Sequence, residues 1–332
     1  MNMSDVAFRC STAPMMEWTD RHWRRFARTL TKCALLYTEM VTAKALIHGN
    51  VQQLTAHSID EYPLALQIGG AEPEELFQAV IKTRDLGFCE INLNLGCPSD
   101  RVQSGSFGAA LMKDPTRVAE CLDAMHQASG AGGPEITAKI RLGVDDDDVN
   151  KTLPEFLEML NQSPIQRVII HARKAILGGL SPKQNREIPP LDYSLVHLMK
   201  KEFQSMRIIL NGGLESVEHG VRAAEGLDGF MLGRAAYQKP QTLLQIDPLV
   251  FGQSAPHQTA RDALLAYRPY VESVLAGGFP LKHVTRHLVG LYHEVPGARQ
   301  FRRILSERAH QPGADWSVIA KALNTIQDTE QA

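Results

Sequence analysis

The feature that most constrains this fold is an alternation of short apolar strands with amphipathic helices, running from the start of the chain to about residue 245. Strand patterns lie at residues 6–13, 34–38, 64–68, 90–95, 136–140, 167–171, 207–210 and 229–232. Helical patterns lie between them at residues 20–30, 74–86, 115–128, 153–161, 193–203 and 217–224. Because helical crossovers join parallel strands, eight such units favour a (β/α)8 TIM barrel. A doubly wound open sheet is the alternative, but no Gly-x-Gly-x-x-Gly follows the first strand.

After residue 247 the strand pattern does not return. Residues 252–257, Gly-Gln-Ser-Ala-Pro-His, are typical of a linker. Helical patterns follow at residues 259–275, 281–291, 299–309 and 317–326. The predicted organisation of the 332 residues is a barrel domain over 1–247, a linker over 248–257 and an all-helical domain over 258–332.

Composition excludes several classes of protein. Apolar residues make up 44% of the chain and charged residues 22%, as in ordinary soluble globular proteins. Since the formal net charge is −2, any surface for nucleic acid has to be local. The five cysteines, at 10, 33, 89, 97 and 121, show neither Cys-x-x-Cys spacing nor an even disulfide framework. The first 20 residues lack a signal-peptide core and no run is long enough to span a membrane, so a cytoplasmic protein is expected.

Distinctive residues follow most of the apolar strands, at the points where the strands end. They are Pro14, Met15 and Met16; Gln67; Asn94 with Cys97; Lys139 with Arg141; His171 with Arg173; Asn211, Gly212 and Gly213; and Gly233 with Arg234. In a barrel the carboxyl ends of the strands form one face, on which active sites are built. One such end alone is consistent with a capped strand, but six in succession indicate a site.

Two of these strand ends indicate a phosphate site. Asn211-Gly-Gly follows the seventh strand and Gly233-Arg234 the eighth, where barrels commonly bind phosphate. Glycines let backbone N–H groups approach a phosphate, and an arginine adds charge-assisted hydrogen bonds. A phosphate with Lys139, Gln67 and His171 around one cavity fits flavin mononucleotide (FMN), since a cation beside the ring stabilises reduced flavin. Spacing alone does not separate a flavin from a sugar phosphate.

Residues 90–99 place a cysteine just past the fourth strand. Ile91, Leu93 and Leu95 alternate with asparagines, and glycine and proline then end the strand. Cys97 therefore lies on a turn at the carboxyl end of the sheet. An isolated cysteine is most often a buried structural residue, but the Asn-x-Asn-x-Gly-Cys-Pro context favours a functional thiol. The small-residue run at 105–110 predicts a flexible loop that leads into a helix.

Three other features are interpreted as structural. The acidic run at 145–148 follows a strand and is expected to form a solvated turn. His283 and His287 have the i, i+4 spacing of zinc helices, but no Glu lies between them and no third ligand is evident, so no metal is predicted. Residues 130–134, Gly-Ala-Gly-Gly-Pro, are interpreted as a helix-to-strand turn.

The predicted helical domain is basic although the chain as a whole is not. Between residues 258 and 311, eight Lys and Arg side chains stand against four Asp and Glu. Arg299, Arg302 and Arg303 are spaced i, i+3, i+4 and share one face of a helix. Lys183 and Arg186 lie on the long loop after the sixth strand, at the active-site end of the barrel. A local surface for nucleic acid is one interpretation, and an ordinary solvated basic face is the other.

These stretches resemble the tRNA-dihydrouridine synthases, in particular the A-type bacterial enzymes. The matching motifs are Ala13-Pro-Met-Met16 with Trp18-Thr-Asp-Arg21, Leu36-Tyr-Thr-Glu-Met-Val41, Asn92-Leu-Asn-Leu-Gly-Cys-Pro-Ser-Asp-Arg-Val-Gln103, Lys139-Ile-Arg141 and Asn211-Gly-Gly213. The most diagnostic stretch runs from His171 to Leu191. The resemblance covers nearly the whole chain, and the longer acidic turn at 145–148 is the clearest difference.

The resemblance implies a catalytic barrel that binds FMN, NADPH as reductant, and reduction of the uridine C5=C6 bond at tRNA positions 20 and 20a. It implies that Cys97 donates the proton and that Asn94 and Arg141 hold the uracil. The implied FMN contacts are Pro14, Met15, Met16, Gln67, Lys139, His171, Asn211, Gly212, Gly213, Gly233 and Arg234. Lys183, Arg186, Arg299 and Arg302 fall where A-type enzymes engage tRNA. The helical domain is expected to bind tRNA, and the protein is expected to be a monomer.

Three rival interpretations stay open. A flavin barrel oxidoreductase acting on a free pyrimidine has a similar barrel but little use for a basic helical domain. An RNA-binding protein without catalysis does not need the intact Cys97 and FMN set. A phosphate-binding aldolase or isomerase is colourless when purified, whereas a flavoprotein is yellow.

Overall fold

Eight parallel strands form the centre of the molecule in a computed structural model that describes residues 6–99 and 107–327. They are β1 Cys10–Thr12, β2 Leu36–Thr42, β3 Leu64–Gly69, β4 Glu90–Leu95, β5 Glu135–Arg141, β6 Arg167–His171, β7 Arg207–Asn211 and β8 Gly229–Leu232. Neighbours in the sheet follow chain order, and β8 pairs with β1. The circle closes at β1 and β2, since Thr12 N–H donates to the Leu35 carbonyl and Leu35 N–H to the Cys10 carbonyl, both at 3.0 Å. The predicted (β/α)8 barrel is confirmed.

Helices cover the outside of the barrel. They are Arg21–Leu30, Ala43–His48, Val51–Leu54, Pro73–Thr83, Pro115–Ser129, Val149–Gln162, Tyr193–Glu202, Val217–Ala223 and Arg234–Gln238. Several begin where a short polar side chain accepts a backbone N–H of the first turn, as Asp114 does from Arg117 and Ser216 from His219. The two short helices after β2 were not predicted; Thr42 starts the first of them by accepting from Ala45 N–H.

The barrel interior combines apolar residues with a buried polar cluster. Its apolar part contains Ala7, Ala13, Leu35, Tyr37, Ala65, Ile169, Ile209 and Met231. The polar cluster is built around Arg167, which contacts Glu90 at 2.6 Å and Glu135 at 2.8 Å. Burial favours a lower pKa for Arg167, but these two carboxylates outweigh it and raise the pKa above its ordinary value. A second, larger apolar layer packs between the strands and the outer helices.

Some element boundaries differ from the sequence prediction for identifiable reasons. The first strand is shorter than residues 6–13 because Ala7–Arg9 form a 3₁₀ turn. That turn packs against Gly229, where a Cβ atom would lie 2.6 Å from the Arg9 carbonyl oxygen. Of the loop predicted at 105–110, residues 105 and 106 lie outside the described residues, and Gly108–Lys113 form a 3₁₀ helix.

The chain continues from the barrel into a helical C-terminal region. Its helices are Ala260–Ala266, Arg268–Ala276, Lys282–Thr285, Ala298–Arg308 and Trp316–Leu323. The single helix predicted at 259–275 is broken beside Pro269, which lacks the N–H that a continuous helix needs. The helix predicted at 281–291 is only one turn long, Lys282–Thr285, and the chain continues in turns to Gly290, where a Cβ atom would lie 2.5 Å from the Gln238 carbonyl oxygen.

The start of the predicted linker is ordered against the barrel. Residues Asp247–Phe251 form a π-helical turn, and the Asp247 carboxylate is fully buried. It accepts from Lys32 N–H at 2.8 Å and from Cys33 N–H at 3.2 Å, just after the helix Arg21–Leu30. The division into two domains at residues 248–257 stays a prediction. Within residues 6–99 and 107–327, no helix is long and apolar enough to cross a lipid bilayer.

Candidate active site

The carboxyl ends of the strands surround a cavity of about 820 Å³. Its lining includes every residue predicted to contact FMN, namely Pro14, Met15, Met16, Gln67, Lys139, His171, Asn211, Gly212, Gly213, Gly233 and Arg234. The predicted thiol Cys97 and the predicted uracil contacts Asn94 and Arg141 line the same cavity. Arg186 also lines it, whereas Lys183, Arg299 and Arg302 do not. The structure therefore brings together residues that are up to 220 positions apart in the chain.

The turn that carries Cys97 is held by the side chain of Asn94. The Asn94 Oδ1 atom accepts from Gly96 N–H at 3.1 Å and from Cys97 N–H at 3.0 Å. The Cys97 Sγ atom lies 3.3 Å from Ser99 Oγ and is half-buried in the cavity wall. The thiol is thus presented to the cavity by a turn whose geometry the preceding strand fixes.

Two cations lie in the cavity wall close to Cys97. Burial, together with the neighbouring charge of Arg141, lowers the pKa of Lys139 to about 7. Burial also lowers the pKa of Arg141 to about 10. The Arg141 Nε donates to the Gly96 carbonyl at 3.1 Å, and its Nη1 donates to the carbonyls of Lys174 at 3.2 Å and Asn185 at 3.1 Å. Arg141 therefore ties the cysteine turn to the loop after β6.

His171 closes the inner side of the cavity and is buried. Burial, reinforced by the charges of Arg141 and Lys139, lowers its pKa well below the ordinary value, so the imidazole is neutral at pH 7. Gly212 packs directly on this ring: a Cβ atom there would lie 2.5 Å from His171 Cδ2, and the backbone φ is +108°. Only glycine satisfies both constraints.

The loop after β7 contributes two glycines, Gly212 and Gly213, to the cavity lining. Asn211 uses its Nδ2 to donate to the Met231 carbonyl at 2.8 Å, which ties β7 to β8. Tyr193 donates its hydroxyl to the Gly212 carbonyl at 2.6 Å, and Gly213 has a φ of +67° beside Leu191. Nothing lies within 4 Å of the position that a Gly233 Cβ would take. These features leave room for an anion against the backbone.

Arg234 and Arg173 bring positive charge to the same end of the cavity. Arg234 contacts Glu187 at 2.7 Å, with both side chains partly exposed. Such an exposed pair is weak enough to exchange its partner for a phosphate. Burial lowers the pKa of Arg173, whose guanidinium donates to the carbonyl of Pro189 and has a buried Nε without a partner among the described residues. Arg173 was noted at a strand end but was not assigned a role from sequence.

Several residues that line the cavity were missed by the sequence interpretation. They are Trp18, Met40, Ser99, Glu215, Gln238 and Lys239, among others. Trp18, Met40 and Ser99 fall within the matched motifs, which is the signal that points to them. Gln238 ends the short helix after β8 and Lys239 follows it, and no pattern in the sequence distinguishes them.

The helical C-terminal region is attached beside the cavity mouth. The Trp18 ring, which lines the cavity, stacks on Tyr237 with centroids 4.3 Å apart. The Tyr237 hydroxyl lies 3.1 Å from His287 Nδ1, and His287 Nε2 lies 3.0 Å from the Asp20 carboxylate. Arg286 also pairs with Asp20. Burial favours a higher pKa for Asp20, but His287 and Arg286, with the Trp23 N–H, hold the pKa well below its usual range.

The predicted tRNA contacts lie on exposed or half-exposed surface. Arg299, Arg302 and Arg303 are exposed on the helix Ala298–Arg308, and Arg302 donates to the Tyr292 carbonyl at 3.1 Å. Lys183 is exposed on the loop after β6, where Arg186 is half-buried and has a buried Nε without a partner among the described residues.

The features set aside from sequence have structural partners. Asp145 contacts Lys113 at 2.6 Å and accepts from Leu177 N–H at 2.7 Å, and Asp148 accepts from Asn150 N–H at the start of a helix. The acidic run is therefore an ordered turn. Residues 130–134 connect a helix to β5, as predicted, and border a second cavity of about 590 Å³.

A family model described as dihydrouridine synthase matches residues 11–328. A curated tRNA-dihydrouridine(20/20a) synthase from Xanthomonas axonopodis pv. citri (strain 306) is 50% identical to this chain, and the match covers 96% of this chain and 94% of the relative. A second one, from Vibrio parahaemolyticus serotype O3:K6, is 47% identical, and the match covers 96% of this chain and 97% of the relative. The relative from Escherichia coli O6:H1 is 46% identical over 97% of this chain and 96% of its own length.

A solved structure shows the same barrel at low sequence identity. It is a 2-naphthoyl-CoA reductase bound to 2-naphthoyl-CoA, with a TM-score of 0.52 and 12% identity over 74% of this chain. The match spans about half of that longer chain, 50% of its length. At this identity the likeness supports the barrel fold alone.

The full-length family match and the close relatives confirm the predicted family: the chain belongs to the dihydrouridine synthase family and is an enzyme of that class.

Proposed function

We propose that this protein reduces uridine to dihydrouridine in the D-loop of tRNA, at positions 20 and 20a, with FMN as its flavin and NADPH as reductant. The observation that carries the proposal is the position of Cys97 on the wall of the same cavity as Lys139 and the Gly212–Gly213 backbone. The names of the relatives, tRNA-dihydrouridine(20/20a) synthases, support the substrate and the two positions.

The charges of the cavity residues support FMN as the flavin. The Lys139 ammonium has no protein partner among the described residues, and its pKa is lowered to about 7 by burial and by Arg141. A buried cation in this state gains from an anionic ligand. At the other end, the backbone of Gly212, Gly213 and Gly233 together with Arg234 would hold the phosphate. Pro14, Met15 and Met16 would pack on the ring, and Gln67 would meet its pyrimidine edge.

When bound, reduced FMN supplies a hydride for C6 of the uracil. Cys97 donates the Sγ proton to C5, so that hydride and proton together saturate the C5=C6 bond. Ser99 Oγ, 3.3 Å from the sulfur, would return a proton from water to the thiolate. Asn94 and Arg141 would hold the uracil carbonyls, because both line the cavity beside Cys97. The neutral His171 stays a hydrogen-bonding partner rather than an acid at pH 7.

The helical region is proposed as the tRNA-binding domain, with the barrel over residues 1–247 as the catalytic domain. A uridine inside folded tRNA has to leave its stack to reach a cavity of this kind. The link from Trp18 through Tyr237 and His287 to Asp20 fixes the helices beside the cavity mouth. Lys183, Arg186, Arg299 and Arg302 are proposed to contact the tRNA backbone, which is the usual basis of binding to folded RNA.

A cytoplasmic, monomeric enzyme is part of the proposal. The five cysteines are free thiols, which suits a reducing compartment, and tRNA is modified there. Size-exclusion chromatography with light scattering measures the oligomeric state directly, and a stable dimer would overturn this part of the proposal.

The test is tRNA reduction by the purified protein. Unmodified tRNA with uridine at 20 and 20a is incubated with FMN-loaded protein and NADPH, and dihydrouridine is mapped by mass spectrometry after nuclease digestion. We expect reduction at one or both positions, faster with NADPH than with NADH, and none with free uridine monophosphate. Reduction of the free nucleotide with tRNA left unchanged would favour the free-pyrimidine enzyme. A colourless protein that takes up no flavin would contradict the FMN assignment.

A further inference from the structure

A continuous chain of buried hydrogen bonds runs through the barrel interior to the cysteine turn. Thr137 donates its hydroxyl to the Glu90 carboxylate, and Asn92 Nδ2 donates to Thr137 Oγ1 at 2.8 Å. Gln67 Nε2 donates to Asn92 Oδ1 at 2.8 Å, and Asn94 Nδ2 donates to Gln67 Oε1 at 2.8 Å. Asn94 Oδ1 then accepts the backbone N–H groups of the turn that carries the thiol.

At each end of this chain of hydrogen bonds stands a group that can only accept or only donate, so the bonds between them can run in one direction only. At one end Glu90 also accepts from the Tyr37 hydroxyl and from Arg167 at 2.6 Å, so its carboxylate accepts only. Burial, with the charge of Glu90, raises the pKa of Tyr37 well above its ordinary value and keeps its hydroxyl a donor. At the other end the backbone N–H groups of Gly96 and Cys97 donate only. Every amide between these ends is therefore fixed in one of its two orientations.

The direction of these hydrogen bonds decides whether amide nitrogen or amide oxygen atoms are available to the cavity. Asn92 and Thr137 are fully buried and do not line the cavity, whereas Gln67 and Asn94 do. Each of those two amides has one N–H used within the chain of bonds. The other N–H of each has no partner among residues 6–99 and 107–327 and is available to the cavity.

We propose that Thr137 and Asn92 are positioning residues that orient the Gln67 and Asn94 amides so that both present N–H donors to the cavity. The matching ligand groups are carbonyl oxygens, such as those of a flavin pyrimidine ring or of a uracil. This inference deepens the proposed function, on which it rests for the identity of those carbonyls. Free side-chain amides are otherwise equally able to present oxygen or nitrogen.

The test compares Thr137→Val with Thr137→Ser. Valine has nearly the same shape but removes the hydroxyl, so Asn92 loses its anchor to Glu90, whereas serine keeps the hydroxyl. In Thr137→Val we expect single-turnover reduction of tRNA uridine by pre-reduced enzyme to fall about 10-fold. FMN should bind more weakly to the flavin-free protein, and the visible absorption bands of bound flavin should shift. Thr137→Ser should restore the rate, the FMN affinity and the spectrum.

A merely structural role gives a different result. If Thr137→Val lowers the melting temperature but leaves rate, FMN affinity and flavin spectrum as in the wild type, the proposal is wrong. Should Thr137→Val not fold, a neutron or atomic-resolution crystal structure of the wild-type protein decides, since it shows the amide hydrogens. Gln67 Nε2 facing Asn92 supports the proposal, and Gln67 Oε1 facing Asn92 overturns it. Wild-type protein that binds flavin but leaves tRNA unchanged would contradict the proposed function and leave these spectral and structural readouts intact.

Discussion

Cys97 is the residue on which the proposed chemistry depends most directly. It lies at the cavity wall with its sulfur 3.3 Å from Ser99 Oγ, and its backbone N–H is held by Asn94. No second thiol lines the cavity among the described residues, since the other four cysteines lie elsewhere. A proton donor at this position acts only when the uracil is being reduced. Its loss should therefore affect one half-reaction, the reduction of uridine by reduced FMN, and not the other, the reduction of FMN by NADPH.

Cys97→Ala is expected to slow uridine reduction by about 10²–10⁴-fold, the usual range for a general acid. Reduction of bound FMN by NADPH should keep its wild-type rate, because that step does not use the thiol. The measurement is rapid-mixing kinetics of each half-reaction. Cys121→Ala, at a buried thiol on an outer helix, is the matched control. A Cys97→Ala enzyme with an unchanged uridine-reduction rate would remove the thiol from the mechanism.

The low pKa of Lys139 predicts that the stability of the flavin-free protein depends on pH. Burial and Arg141 lower its pKa to about 7 in the folded state, whereas the unfolded chain has the ordinary value of about 10.4. Between these values the unfolded state binds more protons, so this lysine makes stability rise with pH. The penalty is fully present below about pH 7 and disappears above about pH 10.4.

Lys139→Met removes this penalty. We expect the flavin-free variant to be more stable than the wild type by about 2 kcal/mol near pH 7, a discounted figure because water partly reaches the ammonium. The gain should shrink as the pH approaches 10. Denaturant unfolding of both proteins across this range measures the difference, with Lys201→Met at an exposed helix position as control. A gain of equal size at all pH values would mean that the ionisation of Lys139 is not its cause.

At the scale of elements, the loop after β7 is shaped by a close contact rather than by flexibility. Gly212 has a φ of +108°, and a Cβ atom there would lie 2.5 Å from His171 Cδ2. Glycine is therefore required at this position by the contact with His171 as well as by any approach of a phosphate. This contact joins the end of β6 to the loop after β7.

Gly212→Ala is expected to destabilise the protein by about 1–3 kcal/mol, since it combines an unfavourable backbone conformation with the clash. FMN retention should fall as well, because His171 and the loop backbone both move away from the cavity wall. Thermal unfolding and flavin content after dialysis measure the two effects. Gly178→Ala is the control, as that glycine is exposed, has no positive φ and has open space around its Cβ position. Equal effects of the two substitutions would contradict this account.

At the scale of the whole molecule, side-chain contacts attach the helical region to the barrel beside the cavity. Asp20 begins the helix Arg21–Leu30 and pairs with Arg286 and His287 of the helical region. The same contact continues through Tyr237 to Trp18 at the cavity. The exposed cations of the helix Ala298–Arg308 belong to this attached region, and under the proposed function they contact the tRNA.

Replacing Arg299 and Arg302 together with alanine is expected to weaken tRNA binding and leave NADPH oxidation by bound FMN unchanged. Each lost phosphate contact should reduce the slope of log affinity against log salt by about one unit. Filter binding at several salt concentrations measures this. Arg302 also donates to the Tyr292 carbonyl, so a melting curve has to accompany the binding data. The control is Arg117→Ala, at an exposed arginine on the outer wall of the barrel. Unchanged tRNA affinity in the double variant would mean that this helix has an ordinary solvated basic face and does not contact tRNA.

The sequence by itself determined the barrel, the family and the strand-end residues that line the cavity. Strand periodicity is local, so the eight strands were readable from residue order, and parallel strands necessarily bring their carboxyl ends to one face. This is why Gln67, Lys139, His171 and Arg234 were expected together and lie around one cavity. Local signals were less reliable at the edges of elements, as the break at Pro269 and the one-turn helix at Lys282–Thr285 show.

Only the tertiary structure decided how those residues are held and charged. The chain of bonds from Glu90 through Thr137 and Asn92 to Gln67 joins three strands, and no spacing along the sequence reports it. The low pKa of Lys139 depends on burial, which exists only once the cavity is formed. Likewise, the attachment of His287 to Asp20 links residues 267 positions apart. Such contacts depend on the packing of side chains distant in sequence, and local periodicity carries no information about them.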